Sequence, residues 1–193
     1  MITKEELQGK ILKLIDSNFY YDGKTYSADL EMVGNFLILW SLFENRCCEE
    51  NANKASIENV IKKVKKSFDD NILNEVFDYM KERYADAEKF KNLNFRTGGG
   101  DEKMKTHCEK VFSGEESSKE DKLKAVLYVI YRYRNNLFHG IKQIPTLQEQ
   151  KDNFNMAYKV LIECIEKYER KNTRKDLSVG KNTFVSQRKG IQA

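Results

Sequence analysis

Apolar residues recur every three to four positions along most of this chain, and that spacing predicts one helix after another. Thr3 followed by Glu6 is a capping-box signature ahead of a helix with Leu7, Ile11, Leu14 and Ile15 on one face. Aromatic residues flank Asp22-Gly23, so residues 20–26 fit a small hairpin or an ordered loop. Ser27 then caps the most apolar segment, with Leu30, Val33, Phe36, Leu37, Trp40 and Phe43 at helical spacing, expected as the central core helix. A further helix follows Ser56, with Ile57, Val60, Ile61 and Val64 inward and Lys62, Lys63, Lys65 and Lys66 on the solvated side. Asn71 opens the next, carrying Ile72, Val76, Phe77, Met80 and Tyr84.

The run Thr97-Gly98-Gly99-Gly100 interrupts the pattern, and a short helix from Glu102 to Phe112 is expected inside a mobile insertion of about 92–118. Asp101 follows the glycines and no Gly-Lys-Ser/Thr is present, so this is not a phosphate loop. Ser118 and Asp121 start a long helix with Leu123, Val126, Leu127 and Ile130 inward, and Gly140 reads as its stop. After Pro145, the only proline, a last helix runs from about Leu147 to Tyr168 with Met156, Val160, Leu161, Cys164 and Ile165 inward. The expectation is an all-α helical bundle over residues 1–170, followed by a basic, flexible tail at 171–193.

Composition narrows the function classes. With 193 residues the chain is long enough for a core without disulfide or metal staples. Mean hydropathy is −0.70 and no apolar run approaches the ~20 residues of a membrane helix. The start carries no signal-peptide core, so the expected compartment is the cytoplasm and the cysteines are expected as reduced thiols. Cys47, Cys48, Cys108 and Cys164 form no C-x2-C pair, which argues against a zinc site; no metal or other cofactor is expected. The net charge of +4 suggests a basic body, but residues 171–193 carry Lys171, Arg174, Lys175, Lys181, Arg188 and Lys189 against Asp176, a net of +5. Residues 1–170 are therefore at −1, and the basicity belongs to the tail.

Histidine is scarce, at His107 and His139 only. His107 adjoins Cys108, but neighbours on a helix point about 100° apart, so a Cys–His pair is not expected. His139 lies five residues after Arg134, near a helix end, in Arg134-Asn135-Asn136-Leu137-Phe138-His139-Gly140. This stretch resembles the Arg-x(4–6)-His motif of the HEPN domains, many of which are metal-independent endoribonucleases of toxin–antitoxin, abortive-infection and CRISPR systems. The resemblance extends over roughly residues 27–170: an early apolar helix, the motif late in the chain, and one helix after it.

The resemblance implies catalytic roles for Arg134 and His139, with Asn135 as the polar residue beside the arginine. It also implies an RNA substrate, a homodimer with two motifs meeting at a shared cleft, and an antitoxin or defence-system partner. Elementary chemistry is compatible. RNA cleavage without metal needs a proton acceptor for the 2′-hydroxyl, which imidazole supplies, and a fixed cation for the phosphorane, which guanidinium supplies. Around a straight helix Arg134 and His139 stand about 140° apart, whereas Asn135 and His139 stand about 40° apart, so Asn135 is placed to orient the imidazole. Tyr131, Arg132, Tyr133 and Asn136 are the accompanying candidates for RNA contact, the tyrosines by stacking.

One departure limits the resemblance. HEPN toxins silenced by a nucleotidyltransferase antitoxin have a tyrosine two positions after the histidine, and Ile141 stands here. Two other readings stay open at this level. One is a catalytically inactive HEPN scaffold for dimerisation or partner binding, in which Arg134 and His139 merely cap a helix end. The other is a non-cleaving RNA- or nucleotide-binding protein that uses the basic tail.

Overall fold

A computed structural model describes residue 3, residues 30–138 and residues 150–188. The expected first helix (beyond Thr3), the 20–26 hairpin, Gly140 and His139 lie outside the described residues. Within them the chain is all-α, with seven helices and no strand: α1 (Leu30–Cys47), α2 (Lys54–Val64), α3 (Asp70–Tyr84), α4 (Ala87–Lys91), α5 (Gly99–Ser113), α6 (Lys119–Phe138) and α7 (Lys151–Arg188). None of the helices is long and apolar enough to cross a membrane.

The helices form two pairs joined by a bridge. α1 packs along α7, and α5 packs along α6, while α2 and α3 each touch both α6 and α7. The apolar stripes point into this arrangement as their spacing predicts. Phe36, Trp40 and Phe43 of α1, the Ile57/Val60/Ile61/Val64 stripe of α2, and Leu123, Val126, Leu127 and Ile130 of α6 are all buried. Phe36 meets Phe154 of α7 at 4.7 Å between ring centroids, locking the α1–α7 seam.

Capping chemistry sets the starts, and it moves two of the expected boundaries. Asn53, not Ser56, caps α2: its side chain accepts from the Ala55 and Ser56 N–H groups, and Ser56 returns the bond to the Asn53 N–H at 2.8 Å. Likewise Asp69 caps α3 ahead of Asn71. Asp86 caps the short helix α4, which the sequence pattern does not suggest because five residues hold too little periodicity.

The segment expected as a mobile insertion is instead packed. Leu93, Met104, Cys108 and Val111 are buried, and α5 starts at Gly99 rather than at Glu102. Gly98 and Gly99 take positive φ of 84° and 63°, so the glycine run serves a sharp entry into α5. At the other end of the chain the backbone stays helical to Arg188, past Tyr168 where the apolar periodicity ends. No proline interrupts that stretch, so a polar sequence can continue the i→i−4 ladder.

Candidate functional site

The second half of α6 presents two different faces, set by the 3.6-residue period. Tyr131, Arg134 and Asn135 share one side and look toward α1, while Arg132 and Asn136, four apart, look toward the loop after α4. This division separates the residues that the sequence groups together.

On the first side, Arg134 is about 30% exposed at its side chain and lies over Glu44 of α1, with Nη2 3.8 Å from Oε2. Its Nη1 donates to the Asn135 side-chain oxygen at 3.1 Å. Glu44 is itself fixed at both oxygens: Trp40 Nε1 donates to Oε2 at 3.2 Å and the Ala52 N–H donates to Oε1 at 3.0 Å. Tyr131, half-buried, packs on Trp40 with ring centroids 6.0 Å apart. The guanidinium is therefore held between a carboxylate anchored by two donors and a buried amide. At 3.8 Å the carboxylate contact is an ion pair without hydrogen-bond geometry.

The oxygen of Asn135 thus serves Arg134, where the sequence assigns Asn135 to His139. The described residues place Arg134 and Asn135 together and add Glu44 and Trp40. Sequence reasoning misses Glu44 because it is one acidic residue among thirty. The only local signal is its i,i+4 spacing from Trp40.

On the second side the expected RNA contacts are consumed by the fold. Arg132 is 1% exposed. Its Nε donates to the Leu93 carbonyl at 3.0 Å, Nη1 to Asp101 Oδ2 at 2.6 Å, and Nη2 to the Asn94 carbonyl. Burial pulls the guanidinium's pKa down, and the Asp101 carboxylate opposes that shift. Asn136, fully buried, donates through Nδ2 to the Asn92 and Leu93 carbonyls at 3.2 Å each. Tyr133 is buried with its hydroxyl 2.8 Å from that of Tyr84, and burial raises the pKa of both phenols. Arg132, Tyr133 and Asn136 are thus scaffold, and of the four accompanying candidates only Tyr131 remains partly exposed.

The other histidine forms a separate cluster. His107 Nδ1 lies 3.2 Å from Glu116 Oε2, and its Nε2 lies 3.2 Å from the Asp121 carbonyl oxygen. Cys108 points away into the core, its thiol on the Ala125 carbonyl, so no Cys–His pair exists there. His107, Glu116 and Asp121 bring possible metal-ligating atoms within 4.8 Å of one another, but both ring nitrogens already face oxygen acceptors and Lys110 shares Glu116.

Compared with known proteins, the chain matches no family model, no curated protein and no solved structure.

Proposed function

We propose that this chain is a metal-independent endoribonuclease of the HEPN type, with Arg134 and His139 as its catalytic residues. The observation that carries the reading is the setting of Arg134 within its motif. The guanidinium is partly solvent-accessible, and Glu44 and Asn135 steer it from a rigid helix. Preorganised cations of this kind stabilise charge that develops in a transition state.

In the proposed reaction His139 takes the proton from a ribose 2′-hydroxyl as that oxygen attacks the adjacent phosphorus. The phosphorane charge falls on Arg134, whose forked donors match two phosphate oxygens. The P–O5′ bond breaks, solvent protonates the leaving oxygen while the proton held by His139 returns to solvent, and the products are a 2′,3′-cyclic phosphate and a 5′-hydroxyl. A phosphate arriving at Arg134 competes with Glu44 for the same positive charge while taking up hydrogen bonds that Glu44 at 3.8 Å does not make, so the ion pair pre-positions the arginine and yields it on binding. A second copy of the chain would complete the cleft, because on an ideal straight helix two positions five apart, as Arg134 and His139 are in sequence, diverge by about 140°.

The Glu44–Arg134 pair also favours one rival: an inactive scaffold in which the arginine ties α6 to α1. Purified protein incubated with mixed RNAs in EDTA separates the two. Cleavage by wild type that is lost in His139→Ala and Arg134→Ala, with both variants folded, supports the nuclease. Intact RNA with wild type at high enzyme, together with a lower melting temperature for Arg134→Ala, supports the scaffold.

A further inference from the structure

A cavity of about 500 Å³ opens beside Tyr131, between the start of α2 and the glycine-rich entry into α5. We infer that it is a nucleotide subsite, taking the base of one single-stranded RNA residue on Tyr131 next to the phosphate bound at Arg134. The inference rests on the nuclease reading for the identity of the strand, but on the cavity itself for the place where the strand lies.

Three observations carry it. First, the position fits: Tyr131 and Arg134 are three residues apart on α6, about 4.5 Å along the axis and about 60° around it. That offset is short enough for adjacent parts of one nucleotide unit to reach both. Second, the lining suits a base. The apolar part of the lining is Tyr131, backed by Trp40; Met104 borders the cavity but is 1% exposed. Arg96, exposed, supplies positive charge along the same lining, whereas the Lys54 ammonium is paired with Glu58 at 2.6 Å. Aromatic faces bind bases of any identity by stacking, and nearby cations hold the backbone.

Third, the wall is built rather than loose. Asp101 Oδ2 accepts from buried Arg132 and from the Arg96 backbone N–H at 3.2 Å. The Gly98 N–H donates to Glu102 at 3.0 Å. Arg132 thus fixes the loop that carries Arg96 and neutralises the one carboxylate lining the cavity. Its place in the motif stretch makes sense as support for this wall, not as a contact to RNA. The volume falls in the range typical of small-molecule and cofactor pockets.

The test measures binding of a fluorescent, mixed-sequence single-stranded RNA to the full chain carrying His139→Ala, which removes cleavage. Tyr131→Leu is expected to weaken binding about 5- to 140-fold, the range that loss of one stacked base gives. Tyr131→Phe, which keeps the ring, is expected to stay within about twofold. Arg96→Gln should weaken binding and flatten its salt dependence.

Unchanged affinity in Tyr131→Leu and Arg96→Gln overturns the subsite, and the nuclease reading stands if the protein with His139 intact still cleaves. Conversely, RNA binding that is lost in Tyr131→Leu by a protein that never cleaves supports the subsite and removes the nuclease. Equal losses in Tyr131→Phe and Tyr131→Leu also overturn it, since the ring would then not be what is read. Circular dichroism melts of each variant ensure that a loss of binding is not a loss of fold.

Discussion

Replacing Arg132 with methionine isolates the buried guanidinium that organises the second side of α6. The substitution keeps much of the apolar stem and removes three donors, to the Leu93 and Asn94 carbonyls and to Asp101. Breaking a buried ion pair from one side costs about 3–5 kcal/mol, because the partner charge stays behind without compensation. Asp101 is 16% exposed at its side chain and keeps the Arg96 N–H, so water relieves part of that cost. The expected loss is therefore at the lower end, about 3 kcal/mol, or a fall in Tm of about 6–12 °C for a chain of this size.

Urea unfolding followed by far-ultraviolet circular dichroism measures this loss directly, with the slope unchanged and the midpoint lowered. Arg132→Lys should recover only part of it, since an ammonium cannot reproduce a planar fork reaching three acceptors. In a double-mutant cycle with Asp101→Asn the combined loss should be smaller than the sum of the single losses. A loss below about 1 kcal/mol in Arg132→Met, accompanied by a large loss of RNA affinity, would refute the scaffold assignment. It would restore Arg132 as a surface contact.

Two further outcomes follow from packing and burial. Phe36→Ala should cost about 3–5 kcal/mol, because Phe36 is fully buried against Phe154 and the α1–α7 seam can close only in part; a loss under 1 kcal/mol in urea unfolding would contradict that. Burial pushes the Cys47 and Cys48 thiols up from 9.0 to about 12, and it raises Cys108 and Cys164 as well. The folded chain then keeps protons that the unfolded chain releases above pH 9, so stability is fully present below that pH and falls as pH rises toward 12. Unfolding free energies that stay flat between about pH 8 and about pH 10.5 would count against this. So would rapid alkylation of the native protein at neutral pH, since the thiolate is the reactive form.

Helix identity was legible along the chain because apolar spacing and burial are two views of one period. The inward residues read for α2 and α6 are buried in the fold, and most of those read for α3 and α7 are as well. Boundaries were less legible. Ser56 is both a plausible cap and the third residue of a capping box, and only the backbone at Asn53 distinguishes the two. The glycine run suggested looseness because glycine permits many conformations. In the structure it adopts one of them, and Arg132 binds the preceding loop from a distance of about forty residues in sequence.

Residue order alone suffices for the all-α character of the described residues, for the charge split between −1 over residues 1–170 and +5 over 171–193, and for the clustering of Arg134, Asn135 and His139 in one short stretch. Which of the neighbouring polar residues reach solvent depends on how the helices pack around α6. Residues 131 to 136 look alike as polar and aromatic letters, but a helix turns each by about 100°. Rotation sends Arg132, Tyr133 and Asn136 into the protein and leaves Arg134 over Glu44, with Tyr131 at the edge of a cavity. No local pattern encodes Glu44, Asp101 or the Leu93 carbonyl as partners. Those pairings exist only once α1, the loop after α4 and α5 have closed around α6.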